Sequence, residues 1–484
     1  MYRIPEYLQR ELKDFYLPFG GSLDDQNRWV RLAAIIPWKE IEKRYSRQFS
    51  KELGAPAKRS RMALGALIIK QKLKVSDEET VEQIRENPYL QFFIGLEEFT
   101  TDVAFDASMM VYFRKRFGAT TLNTINELLI ANAKRETDDD SEPKTPKEKK
   151  DPPNQGQLIV DASCVPQDIR YPTDLGVLND ARVSTEKIID ILHGARGSGE
   201  KKPRSYRQCA RRDYLRCVKK KRLGLKDFYK GRKKQLQYVA RNVRSIKKLL
   251  EEVDLSVLPG GMYRNLLIAT EVLRQQSQMQ RERRHRVAGR IVSFSQPHVR
   301  PIVRGKSGTP VEFGAKISVS VVDGFTYVDR ISWEAYNESG DLPGQIESYH
   351  SRYGCYPESI HADKIYRTRA NHEYCKSRGI RMSGPRLGRP PTDQEIRKAI
   401  RRQTREDERK RVEVEGKFGE AKRVYGLDRV ATKRADTSET TIAMAVMVMN
   451  LAKILRDLFA RFLFTPRRRL FRLFLSPIPA LSIS

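Results

Sequence analysis

Apolar positions recur along the chain in two rhythms, and the change from one to the other divides it. From about Leu32 to Ala133 the spacing is helical. Leu64, Leu67, Ile68 and Ile69 belong to one stripe that breaks at Lys74-Val75. Ser76-Asp77-Glu78-Glu79 then has the form of a capping box, and Asn87-Pro88 opens a third helix. Further on, Leu158-Ile159-Val160-Asp161-Ala162 is a short apolar run with β-branched residues, which predicts a buried strand with a carboxylate near its end. From about Ala181 to Gly289 the signals are again helical, with almost no strand character. Phe313 to Val322 and Phe325 to Val328 are β-rich runs joined by Asp323-Gly324. That pair predicts a hairpin, because a type I′ turn needs positive φ at both central positions.

The remaining elements follow closely. Gly344 to Arg352 is predicted helical, Ser359 to Asp363 is a strand ending in a second carboxylate, and Thr368 to Arg378 is a helix stopped by Gly379 before a short strand at Ile380-Arg381-Met382. Thr392-Asp393-Gln394-Glu395 has the form of a second capping box, and the charged run beyond it reads as one long helix towards Tyr425. Gly416 and Gly419 weaken that helix by about 1 kcal/mol each and suggest close backbone packing there. The order is strand, hairpin, helix, strand, helix, strand, long helix, with a helical insertion after the first strand. This is an α/β class with one mixed sheet, preceded by an all-helical region.

Composition refines this map. Lys134 to Gln157 is dense in charge, Pro and Ser and lacks aromatic residues, so it reads as a flexible linker. The resulting division is 1–133 helical, 134–156 linker, 157–180 with 300–430 as the α/β core, 181–299 as the helical insertion, and 431–484 as a C-terminal helix with a variable tail from Thr465. Lys and Arg number 92 against 61 Asp and Glu, a net charge of +31 that favours a polyanionic partner, nucleic acid above all. Lys201 to Leu250 holds 20 Lys or Arg against only Asp213 and Asp227, which leaves a solvated helix face or a DNA-backbone surface, the second favoured. The short helices around residues 60–93 fit a helix-turn-helix or an ordinary bundle, and the basic flank Lys58-Arg59-Ser60-Arg61 favours DNA contact.

Other classes are disfavoured. Cys164, Cys209, Cys217, Cys355 and Cys375 are widely spaced with no C-x-x-C pair, which argues against a disulfide framework or structural zinc. The N-terminus lacks the apolar core of a secretory signal. The most apolar stretch, Thr441 to Phe464, is interrupted by Lys453, Arg456, Asp457 and Arg461, so a cytoplasmic protein without a membrane span is expected. Arg304-Gly305-Lys306-Ser307-Gly308 lacks the spacing of a phosphate loop and precedes a strand, so ATP use is not supported. His361 has no second His at ligand spacing and is read as structural. Trp333 is read as a core residue, with stacking on a flipped base as the alternative.

The candidate chemistry lies in the acids. Cutting and joining phosphodiester bonds needs an activated water or 3′ hydroxyl and a stabilised leaving oxygen, which two divalent cations roughly 4 Å apart supply. Mg²⁺ takes carboxylate oxygens and keeps several waters, so a few acids on different elements suffice. Asp161, Asp363 and a Glu on the last long helix form such a set. On that helix Glu415 shares a face with Arg411 and Lys422, whereas Glu413 points away.

The segment Arg411 to Lys422 resembles the last catalytic motif of bacterial insertion-sequence transposases of family five, in which Arg, three residues, Glu, six residues and Lys recur. Glu408 stands where that motif often has Tyr. The resemblance extends to Val160-Asp161-Ala162, to Arg170-Tyr171-Pro172-Thr173-Asp174-Leu175-Gly176, to Ala362-Asp363-Lys364-Ile365-Tyr366 and to Arg61 through Phe117. It implies a DDE transposase with an RNase H-like core. In it Asp161, Asp363 and Glu415 bind two Mg²⁺ ions, with Mn²⁺ as substitute, and Arg411 and Lys422 contact DNA phosphate. The implied partners are double-stranded DNA, both element ends and target, and further copies of the chain. A catalytically inactive DNA-binding derivative is the alternative. A junction resolvase of the same fold would lack the spacing of Arg411, Glu415 and Lys422.

Overall fold

The computed structural model describes residues 14–17, 20–50, 56–138, 153–197, 199, 201–303, 311–384, 391 and 393–474, with side chains omitted for 136–138 and 461–474. The phosphate-loop-like Arg304 to Gly308, most of the predicted linker and the end of the C-terminal tail lie outside these residues. The chain packs as two compact units. One comprises Met1–Val165, Ile317–Ile331 and Asn337–Ser484, the other Pro166–Lys316 and Ser332–Tyr336.

The first unit opens with seven helices: α1 (Arg28–Ile35), α2 (Trp38–Ser46), α3 (Ser60–Leu73), α4 (Asp77–Glu86), α5 (Pro88–Phe93), α6 (Met109–Arg116) and α7 (Ala119–Asp138). Their boundaries follow local chemistry. Lys74 ends α3 in the left-handed region at φ 59°, the Ser76 hydroxyl accepts from the Glu79 amide to cap α4, and Asn87 caps α5 with Pro88 in its first turn.

Two expectations fail here. The basic flank is largely consumed internally. Arg61 is buried, donates to the carbonyls of Phe93 and Phe92 at 3.0 and 2.8 Å and lies over Trp38, Lys58 donates to the Ala104 carbonyl, and Ser60 bonds Glu42. Helix α7 also continues past the predicted linker start, because Lys134 is held there by Asp323 at 2.6 Å and by the Tyr353 hydroxyl.

Next come β1 (Gln157–Pro166), then α8 (Asp174–Ala195), α9 (Arg207–Val218), α10 (Leu225–Leu249) and α11 (Gly260–Glu282), then β2 (Arg300–Val303), β3 (Val311–Val322), β4 (Phe325–Ser332), α12 (Leu342–Tyr353), β5 (Ser359–Ala362), α13 (Arg369–Ser377), β6 (Arg381–Met382), α14 (Gln394–Arg423) and α15 (Ala435–Phe474). The strands form one sheet in the order β2-β3-β1-β5-β6, with β4 also on β3. β5 is parallel to both β1 and β6, whereas β2 is antiparallel to β3, so the sheet is mixed. The predicted hairpin is present, with φ of 51° at Asp323 and 76° at Gly324. β2 was not foreseen. Its Pro301 removes a backbone donor, which suits an edge strand and weakens the sequence signal.

In the first unit a buried amide cluster ties the hairpin to the helices. Asn450 on α15 accepts from the Thr326 amide at 3.0 Å and donates to the Thr326 carbonyl and to Asn126 of α7 at 2.7 and 2.8 Å. An unpaired buried amide costs about 1–3 kcal/mol, so the cluster specifies one packing of β4 against α7 and α15.

In the second unit α8 begins at Asp174, earlier than the predicted insertion boundary at residue 181. The Thr173 hydroxyl caps it by accepting from the Gly176 amide, and a Cβ on Gly176 would stand 2.8 Å from that hydroxyl. Asp174 is buried and accepts from Arg232 of α10 at 3.3 Å, Gln276 of α11 at 2.9 Å and Arg290 at 2.8 Å. The Tyr-Pro-Thr-Asp-Leu-Gly segment therefore gathers the helices of the insertion, over a core that includes Val177, Leu178, Val239, Ala269 and Val272. Trp333 is only half-buried and stands edge-on to His298, which corrects the core reading. Among the described residues no helix is long and apolar enough to cross a membrane.

Candidate active site

The parallel register of β1 and β5 brings two of the acids together. Ile159 lies beside His361 and Val160 beside Ala362, so Asp161 and Asp363 occupy the next pair of positions, side by side and on one face of the sheet. Asp161 lies mid-strand rather than near its end, and its carboxylate accepts from the Ala162 amide at 2.8 Å. Asp363 follows the last residue of β5 and accepts from the Lys364 amide at 2.6 Å.

Helix α14 supplies the rest, and its pitch matches the strand. Four helical residues rise about 6 Å and two strand residues about 6.6 Å, so side chains at i, i+4 and i+8 keep step with alternate strand positions. Asp407 accordingly meets His361, and Arg411, one turn on, meets Asp363. Asp407 takes two bonds from Arg381 of β6, both at 2.9 Å, one from Gln403 at 3.3 Å, and lies 3.5 Å from His361 Nδ1. Burial works against the Asp407 charge, but Arg381 and Gln403 outweigh it and hold its carboxyl below the usual range. Burial pulls His361 down to about 4, and its Nε2 bonds the Ser359 hydroxyl, so it is a structural imidazole as expected. Asp393 caps the start of α14, accepting from the amides of Glu395 and Ile396, and Thr392 lies outside the described residues. The two helical glycines do not mark close packing. Among the described residues nothing stands within 4 Å of a Cβ built on Gly416, and only the end of Arg423 approaches one on Gly419.

Arg411 lies between two acids. Its Nη1 donates to Asp363 at 3.2 Å and its Nη2 to Glu415 at 2.9 Å. Lys422 donates to the Ser163 hydroxyl at 3.3 Å, two residues beyond Asp161 on β1. All five residues singled out from sequence, Asp161, Asp363, Arg411, Glu415 and Lys422, thus gather where α14 passes the middle of β1 and the end of β5. Burial pushes Asp161 up to about 6, Asp363 and Glu415 add to the rise, and the Ala162 amide and Arg411 oppose it. Ser163 and the Arg381–Asp407 pair were not foreseen. The alternation of β1 could have pointed to Ser163. The pair joins different elements, for which periodicity carries no signal.

Three carboxylates drawn from the middle of β1, the end of β5 and α14, all oxygen donors, suit a hard divalent cation. As the side chains stand, no three His, Cys, Asp or Glu among the described residues form a ready metal cage, and Arg411 lies against two of the three acids.

Comparisons with known proteins identify related families and a related protein. The family described as "Transposase DDE domain" matches residues 360–452, which include most of β5, all of α14 and part of α15, and the family described as "Transposase domain (DUF772)" matches residues 19–116. "Uncharacterized protein ORF8 in nfe locus" of Rhizobium meliloti is 32% identical over 188 residues, covering 39% of this chain and 82% of that protein. No solved structure matches. With both transposase domains present, in the order helical region then acidic α/β region, the chain belongs to the DDE transposases of insertion sequences.

Proposed function

We propose that the chain is an active DNA transposase that binds the inverted repeats of its own element, cuts at the element ends and transfers the 3′ ends to target DNA, acting in the bacterial cytoplasm as a homo-oligomer assembled on DNA. The observation that carries this reading is the convergence of Asp161, Asp363 and Glu415 around Arg411, with Lys422 alongside. A DNA-binding derivative has no use for three acids beside a polyanion. The strand order, with Asp161 on a central strand and Asp363 on its parallel neighbour, supports an RNase H-like core. The spacing of Arg411, Glu415 and Lys422 supports placement in family five.

Asp161, Asp363 and Glu415 are assigned as ligands of two Mg²⁺ ions, or Mn²⁺ in their place, which when bound supply Lewis acidity to the attacking and leaving oxygens. The chain's own residues prepare that site. The Ala162 and Lys364 amides orient the two aspartates, the Arg381–Asp407 pair holds α14 over the sheet edge, and Arg411 and Lys422 place positive charge for backbone phosphate.

The insertion adds a DNA-backbone surface. Six of its residues form a stripe along α10 at helical spacing: Lys226, Lys230, Lys233, Arg241, Arg244 and Lys248. Among the described residues none of them has an ion-pair partner, and the stripe runs for about 33 Å.

The test uses purified wild type and Asp363→Asn on linear DNA carrying the inverted repeats that flank the gene, with Mg²⁺ and with Ca²⁺. Cleavage by wild type alone, with Mg²⁺ alone, is the expected result. If both proteins bind the ends and neither cuts with any metal, the chain is a DNA-binding derivative and the carboxylate assignment falls.

A further inference from the structure

The position of Arg411 raises a question of charge. Asp161, Asp363 and Glu415 carry three negative charges when ionised, and one guanidinium bonds two of them directly and favours the ionised form of the third. The oxygens it holds are the oxygens assigned above to the cations, so Arg411 and a divalent ion compete for the same electrons. Its own bonding is incomplete as well, since Arg411 Nε is buried with no hydrogen-bond partner among the described residues. A guanidinium offers five donors in a planar fork that fits phosphate oxygens as well as carboxylates, so it can leave one anion for another with little loss. The arginine side chain is 27% exposed and the two acids it bridges are 47% and 56% exposed, which leaves room to turn towards solvent and bound DNA.

We infer that Arg411 is the resident counter-ion of the acidic site, giving up Asp363 and Glu415 when divalent cations bind and passing to a backbone phosphate of the element end. The inference rests on the carboxylate assignment proposed above. Its consequence is a coupling. DNA that takes up Arg411 frees the acids for metal, and metal that displaces Arg411 frees the guanidinium for DNA, so each ligand tightens the other by the same factor. Without DNA the acids are partly neutralised, and metal loading is weakened where cleavage would serve no purpose.

The experiment is a Mn²⁺ titration of the full-length protein, following free Mn²⁺ by electron paramagnetic resonance. Wild type, Arg411→Ala, Arg411→Gln and Asp363→Asn are compared, each alone and with a pre-cut duplex of the element's own end, which leaves no bond to cut. Arg411→Gln preserves bulk and hydrogen bonding without charge, and reports if the alanine variant folds poorly. Two charge-assisted bonds to partly exposed acids correspond to a displacement cost of about 1.4 kcal/mol, which is tenfold in affinity. The expected result is that both Arg411 variants bind Mn²⁺ about tenfold more tightly than wild type without DNA. The duplex should tighten Mn²⁺ binding to wild type severalfold and leave the variants unchanged. If wild type binds Mn²⁺ in a manner that Asp363→Asn removes, but the Arg411 variants bind no more tightly, the counter-ion role is overturned while the carboxylate assignment stands. If Asp363→Asn binds Mn²⁺ as wild type does, the assignment itself is lost and the inference with it.

Discussion

Replacing Asp407 by Ala removes a carboxylate that touches no candidate metal ligand but fixes the helix bearing one. The Asp407 side chain is 4% exposed and accepts from Arg381 twice, from Gln403 and, at 3.3 Å, from the Gly384 amide. Breaking a fully buried ion pair costs about 3–5 kcal/mol. Arg381 is 42% exposed and recovers hydration when freed, whereas His361, fully buried, loses the carboxylate 3.5 Å from its Nδ1. The expected loss is therefore about 2–3 kcal/mol. At roughly 2 °C per kcal/mol for a large unit, that is about 5 °C in Tm. Glu415 lies two turns further along α14, about 12 Å, so release of the clamp displaces Glu415 relative to Asp161 and Asp363. Mg²⁺-dependent cleavage should fall at least tenfold in kcat with little change in the KM for DNA ends, measured well below the variant's Tm. Asp407→Asn, which keeps one acceptor, should fall between the two. A variant that melts within 1 °C of wild type and cuts at the wild-type rate would refute the idea that this pair sets the position of α14.

Three further outcomes follow from the same structure. Asp161→Asn, Asp363→Asn and Glu415→Gln should each reduce end cleavage by about 10³-fold or more while end binding, read by gel shift, changes less than threefold; retained cutting by any one removes that residue from the metal set. Replacing Lys230, Lys233 and Arg244 of α10 together with Gln should lower the slope of log affinity against log salt by up to about 0.9 per lost phosphate contact, measured by fluorescence anisotropy, and an unchanged slope denies the stripe a DNA role. Asp174→Ala leaves the fully buried Arg232 guanidinium with neutral acceptors, Gln280 and the Met279 carbonyl, and should cost about 3–5 kcal/mol in the insertion, seen as faster hydrogen exchange in α8, α10 and α11; wild-type exchange there would show that the neutral acceptors suffice.

Much of the fold was legible because local chemistry and global packing agree. Asp323-Gly324 needs the positive φ that only a tight hairpin uses, Ser76 and Asn87 cap the helices that follow them, and the acids at the ends of two apolar runs fall on adjacent strands. What escaped the sequence depends on contacts between distant elements. Arg61 reads as a surface cation until two carbonyls from α5 enclose it, and Asp407 is one acid among many until β6 delivers Arg381. Arg411 was expected to face DNA, and its bond to Asp363 follows only from the matched rise of α14 and β5.

The pairing of Ile159 with His361 also sets a timetable for synthesis. β1 lies mid-sheet, yet its parallel neighbour leaves the ribosome only after the whole helical insertion. At about 5–20 residues per second that is on the order of ten to forty seconds, during which an apolar strand has an open edge. The insertion, held by contacts among α8, α10 and α11, can fold in that interval. α14 comes later still. A polypeptide released before residue 415 thus carries the helical N-terminal region and the basic insertion without a complete acidic set.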